Sequence, residues 1–168
     1  MSGNGLDYEV EKIKIHLEQN LKFDDVIFYG RVYKNPAKND NGKLIPEVYT
    51  SAKEYKEVLT NDLKNGVSFF FDSGKHTSAS SIEMETELTV VFILNLSKLK
   101  GDLVRKDSDV QLQVLTELMK LKQFESIELT TGLQALKDFD TSKIKLSDMQ
   151  PWHIFSIKGQ IKYNINHC

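Results

Sequence analysis

Apolar residues recur every three or four positions near the start of the chain. Leu6, Val10, Ile13, Leu17 and Leu21 form one stripe, which predicts an amphipathic helix packed on a sheet. Lys14, Glu18 and Lys22 fall on the other side, and Glu18 precedes Lys22 in the favourable i,i+4 order. Asp24 and Asp25 end that helix, and a strand is expected from Val26 to Lys34. Alternation assigns Val26, Phe28 and Val32 to one face of it and Ile27, Tyr29, Arg31 and Tyr33 to the other. Such a Tyr-Arg-Tyr row either covers the rim of the core or meets a partner, because tyrosine is often half-buried and both types are enriched where proteins meet.

From Asn35 to Pro46 the residues are those of turns, with Asn41-Gly42 at the centre, so a protruding hairpin loop is expected. Glu47 to Thr50 reads as a short strand. Ser51 to Asn65 reads as a helix capped by Ser51, with Tyr55, Val58, Leu59 and Leu63 inward and Gly66 as its C-terminal cap. Val67 to Asp72 is a strand with Val67, Phe69 and Phe71 opposite Phe70, and Ser73 to Ser81 a second polar loop. The clearest strand follows. Met84, Thr86, Leu88, Val90, Phe92, Leu94 and Leu96 share one face, while the other begins with Glu83, Glu85 and Glu87 and becomes apolar at Val91 and Ile93. This pattern describes a strand that starts with one side in water and ends covered on both, as in a hairpin reaching beyond its own core.

A further helix is expected from Ser108, as cap, to Lys122, with Val110, Val114, Leu115, Leu118, Met119 and Leu121 inward. Phe124 to Thr131 is a strand, Gly132 to Phe139 is ambiguous, and Asp140 to Met149 is a polar connection. The last strand runs from Trp152 to Ile165, with Phe155, Ile157, Ile161, Tyr163 and Ile165 inward and Ser156, Lys158, Gln160, Lys162 and Asn164 outward. Pro151 precedes it, where a missing N–H is tolerated. The expected architecture is one α+β domain over residues 1–168: a mainly antiparallel sheet with helices on one face and long protruding hairpins and loops.

Composition narrows the functional classes. The 168 residues carry 22 Lys and Arg against 24 Asp and Glu, so a surface devoted to gripping nucleic acid is disfavoured. No apolar run approaches the ~18 residues of a membrane span, and no secretion signal opens the chain. The single cysteine, Cys168, rules out an internal disulfide framework and argues against a terminal nucleophile. His16, His76, His153 and His167 lack metal-ligand spacing. Gly74-Lys75-His76-Thr77-Ser78 has the look of a phosphate loop, but position 69 is Phe69 where that motif needs glycine, and no helix follows. Lys34, Lys38 and Lys43 stand amid Asp40 and Glu47, as in a solvated loop. No cofactor, metal or catalytic residue is therefore assigned, and an enzyme is not expected.

The order of elements, together with the phrases Leu88-Thr-Val-Val-Phe-Ile-Leu-Asn-Leu96 and Asp148-Met-Gln-Pro-Trp-His-Ile-Phe155, resembles small neck and tail-terminator (tail-completion) ring proteins of tailed bacteriophages. Versions from phages and prophages of Bacteroidetes-like hosts, crAss-like phages among them, are the nearest in pattern. The resemblance implies a structural virion protein, assembled in the bacterial cytoplasm, that forms a homo-oligomeric ring between portal and tail. Its partners would be further copies of itself, other neck, portal or tail proteins, and DNA passing through the channel without sequence specificity. No membrane partner is implied. The surfaces expected to meet neighbours are Tyr29, Arg31 and Tyr33; the Pro36 to Pro46 loop with Lys38 and Lys43; and the Ser73 to Glu87 hairpin end with Lys75, His76, Glu83, Glu85 and Glu87. Two other classes remain open: a small ligand-binding or enzymatic α+β domain, which needs a concave pocket with convergent polar groups, and a nucleic-acid-binding module, which needs steeply salt-dependent affinity.

Overall fold

The computed structural model describes residues 4–36, 42–51, 53–59, 66–99, 106–144 and 151–165. Lys38 and Asn41 of the first loop lie outside the described residues. So do Leu63 and Asn65, Asp148 to Gln150, His167 and Cys168. The described elements, in chain order, are α1 (Leu6–Leu21), β1 (Ile27–Arg31), β2 (Tyr33–Pro36), β3 (Leu44–Thr50), β4 (Glu54–Glu57), β5 (Gly66–Ser78), β6 (Glu83–Asn95), α2 (Lys106–Met119), β7 (Phe124–Thr131) and β8 (Trp152–Asn164). Short 3₁₀ turns occupy Leu96–Lys98 and Leu133–Leu136. The class is α+β with mainly antiparallel sheets.

The main sheet has the order β1-β5-β6-β8-β7. All its pairings are antiparallel except β1 with β5. Helices α1 and α2 cover one face. The α1 stripe Leu6, Val10, Ile13, Leu17 and Leu21 is buried, as is Val110, Val114 and Leu118 of α2, against Phe70, Leu88, Val90, Phe92, Phe155, Ile157 and Ile161 of the strands. Phe92 stacks on Phe155 at 5.2 Å between ring centres. The opposite face buries Val67, Phe69, Val91, Ile93 and Ile154 under Val32, Val58, Leu59, Leu136 and Phe139. Apolar cover on both faces explains why β6 loses its alternation from Leu88 onward.

Parallel neighbours cannot be joined by a tight turn, so the chain must cross over between β1 and β5. Here the crossover contains a second sheet, β2-β3-β4, wholly antiparallel. It is tied to the main body where the Leu44 N–H donates to Asp138 O and the Asp140 N–H to Leu44 O, at 2.9 and 2.8 Å. Among the described residues, no helix is long and apolar enough to cross a membrane.

Several expectations are corrected. The strand expected over Val26 to Lys34 breaks at Val32 into β1 and β2, which belong to different sheets. The register of β1 on β5 shifts between Phe28 and Arg31, so Tyr29 packs with the cluster away from the helices while Arg31 pairs with Phe70 on the helix side. Alternation fails because a register irregularity changes which face each later residue takes. The helix expected over Ser51 to Asn65 is, as far as described, strand β4. Tyr55 pairs with Tyr49 and stays exposed, although Val58 and Leu59 are buried as expected. Gly66 opens β5 rather than capping a helix: at φ 154°, a Cβ there would stand 2.5 Å from Ile93 O. Ser73 to Ser78 is not a loop but the outer part of β5, and the turn is confined to 79–82. Pro46 lies inside β3, not at a loop end. Ser108 lies inside α2, which ends at Met119, and that side chain is 73% exposed rather than inward. Ser156 is buried and Ile165 exposed, the reverse of the expected alternation.

Candidate interaction surface

Where β5 leaves the core, five side chains from four elements join. The Arg31 guanidinium donates twice to Asp7 of α1, Nε to Oδ1 at 2.6 Å and Nη2 to Oδ2 at 3.0 Å, and once to Asp72 of β5, Nη1 to Oδ1 at 3.1 Å. The other Asp72 oxygen accepts the Gly74 N–H at 3.0 Å and faces His76 Nε2 at 3.1 Å. His76 Nδ1 lies 2.8 Å from the Tyr163 hydroxyl of β8. The His76 ring thus bridges the Asp72 carboxylate and the Tyr163 hydroxyl through its two nitrogens.

Electrostatics fit a tie. The Asp7 hydrogen bond raises the Arg31 pKa above its already high ordinary value. Burial pushes Asp72 upward, but the Arg31 hydrogen bond, the Gly74 N–H and the Arg31 and Lys34 charges outweigh it and hold the carboxyl below 3.8. Asp-His-Tyr has the order of a proton relay, yet burial raises the Tyr163 hydroxyl, which stays protonated as a donor. The group brackets the β5 irregularity between Asp72 and His76, and so sets the direction in which the outer strands leave.

The small sheet presents a different surface. Tyr33, Tyr49 and Tyr55 share its outward face, each about half exposed. Tyr33 and Tyr49 both meet Tyr55 edge-on, at 5.2 and 5.6 Å between ring centres. Cross-strand pairing produces the cluster, since Tyr49 stands directly opposite Tyr55. Beside it, a groove of about 510 Å³ runs between α1 and β3, with Tyr29, Gly30 and Arg31 of the edge strand β1 in its lining. Val10, Val32, Tyr33, Val48 and Tyr49 make much of its wall apolar or aromatic.

Beyond Asp72 and Leu88, three strands continue together: β5 to Ser78, β6 from Glu83, and β8 to Asn164. Six residue steps from Asp72 to Ser78 carry the hairpin about 20 Å further. Central β6 places Glu85 opposite Lys162, and the Glu87 carboxylate lies 3.8 Å from Lys158, which also faces Glu128 at 3.4 Å. Lys158 borders a second groove of about 370 Å³ on the sheet face away from the helices, with Thr89, Thr130 and Ser156 in its lining.

The structure thus distributes the expected surface residues over four places. Arg31 and His76 join the same hydrogen-bonded group. Tyr29 and Tyr33 border the aromatic groove. Lys43 donates to the Lys137 carbonyl and so braces the small sheet. Lys75 is exposed on the outer part of β5, while Glu83, Glu85 and Glu87 form the outer β6 row. Asp7, Asp72 and Tyr163 were not singled out from the sequence, nor were Tyr49 and Tyr55 as exposed aromatics. Among the described residues, no group of three or more His, Cys, Asp or Glu could hold a metal ion. No protein-family model matches the chain, and no curated protein matches it significantly.

Proposed function

We propose that this chain is a structural subunit that assembles with copies of itself into a ring, in the neck or tail junction of a tailed phage as its resemblance implies. The observation that carries the reading is the outward tyrosine cluster beside the open groove at β1. Three clustered half-exposed rings, two of which (Tyr33 and Tyr49) line the neighbouring groove, are costly to leave in water and are typical of surfaces that meet another protein. Companion neck, portal or tail proteins and non-specific DNA in the channel would be the further partners.

Sedimentation velocity with negative-stain imaging tests the proposal. The expected result is a closed ring with a mass several times 19.3 kDa. Replacing Tyr33, Tyr49 and Tyr55 together by Ser should abolish it. The variant should remain folded, since an aromatic pair contributes about 0.5–1.5 kcal/mol. A wild-type protein that stays monomeric at every concentration reached would sink the proposal. The groove beside Lys158 favours one second reading, a small-ligand-binding domain, whose signature would be a monomer stabilised by a polar solute.

A further inference from the structure

The face of the main sheet turned away from the helices changes character on its way from β5 to β7. One rung runs Phe71, Thr89, Lys158, Glu128 across β5, β6, β8 and β7, and the next runs Phe69, Val91, Ser156, Thr130. Phe69 and Val91 are core, but beyond them hydroxyls and charges replace apolar side chains. These positions line the groove of about 370 Å³, to which the 3₁₀ turn Leu133–Leu136 contributes Gln134 and Ala135. Thr89 and Ser156 are only 7% and 6% exposed. Neither hydroxyl has a hydrogen-bond partner among the described residues. A native fold rarely leaves such groups unpaired. Both line a groove, so their partners come from whatever fills it.

The surrounding charges define that occupant. Lys158 lies 3.8 Å from Glu87 and 3.4 Å from Glu128, beyond normal hydrogen-bond length, so all three keep bonding capacity to spare. An anion placed there meets both carboxylates, and a cation has to displace the Lys158 ammonium that already stands against them. A neutral hydroxyl suits every group: it donates to Glu87 and Glu128, accepts from Lys158, and does either with Thr89, Thr130 and Ser156. Phe71, directly beside Thr89, adds an apolar surface for a C–H face. The volume stands at the small end of the ~300–1,000 Å³ of ligand sites, which suits a single ring. We infer that this groove binds a neutral polyhydroxylated ligand, one sugar ring or a small polyol, over the Thr89, Thr130 and Ser156 hydroxyls. This deepens the small-ligand reading above, and it rests on that reading and not on assembly.

Saturation-transfer difference NMR on the intact chain tests the inference in any state of assembly. The probes are glucose, galactose, mannose, N-acetylglucosamine and myo-inositol, with spermidine and glycerol 3-phosphate as cationic and anionic comparisons. At least one neutral probe should show saturable transfer. Ser156→Ala combined with Thr130→Val should weaken its binding roughly tenfold or more. That variant removes hydroxyls that hold nothing within the subunit, so its melting temperature should not fall. Gln134→Ala, at an exposed position of the 3₁₀ turn, provides a second variant that should also weaken binding. Saturable transfer to no neutral probe overturns the inference. If spermidine or glycerol 3-phosphate binds instead and the variants weaken it, the small-ligand reading stands with another class of ligand. If no probe of any kind binds, that reading falls as well. Binding of a neutral probe that both variants leave unchanged lies elsewhere on the molecule, and also overturns the inference.

Discussion

His153 shows how one buried side chain writes a pH dependence into the fold. It is buried at the start of β8, with its Nε2 2.8 Å from the Gln111 amide nitrogen, which donates to it. Burial lowers its pKa below the ordinary 6.5, with the Asp107 charge opposing more weakly. The unfolded chain therefore binds a proton there more readily than the folded one. Stability is full above pH 6.5 and declines as pH falls from 6.5 towards the folded value. Urea midpoints measured from pH 7.5 to 5 should fall for the wild type and fall less for His153→Gln. Equal slopes would contradict this account. Asp72 acts in a lower window. Its carboxyl is held below 3.8, so its contribution is present above that value and lost on stronger acidification.

Between elements, the Arg31 group joins α1, β1, β5 and β8 at the point where the hairpin leaves the core. Arg31→Leu keeps the aliphatic bulk but leaves Asp7 and the nearly buried Asp72 without their cation. The expected loss is about 2 kcal/mol, below the ~3–5 of a fully buried broken pair because Arg31 retains some exposure. Chemical denaturation should show this loss, and hydrogen exchange should show the outer amides of β5 losing protection before those of β6. Little of this group was legible beforehand. Arg31 stands 24 residues from Asp7 and 41 from Asp72, and His76 is 87 from Tyr163, so no local spacing joins them. Elements with strong periodicity were legible: the α1 stripe, all of β6 and most of β8. The failure at β4 has a specific cause. Tyr55, Val58 and Leu59 repeat at helical spacing, but the first is exposed by its pairing with Tyr49 and only the latter two face the core.

For the whole molecule, the class of fold was readable because the apolar pattern alone fixes which faces must be covered. What could not be read was that residues between β1 and β5 build a sheet of their own, since each of its strands is short and half polar. That detour has a consequence in time. Strands β5 and β6 close through the turn at 79–82, whereas β1 must wait for residues 32–65 to be gathered in before it can take its place beside β5. Pulse-labelled refolding should therefore find the amides of β1 sheltered after those of β5 and β6; the reverse order would refute this sequence of events. The concavity lined by β1 exists only once that detour has closed. On the assembly proposed above, recruitment of a neighbour there would double as an inspection step, since incompletely folded chains would lack the surface.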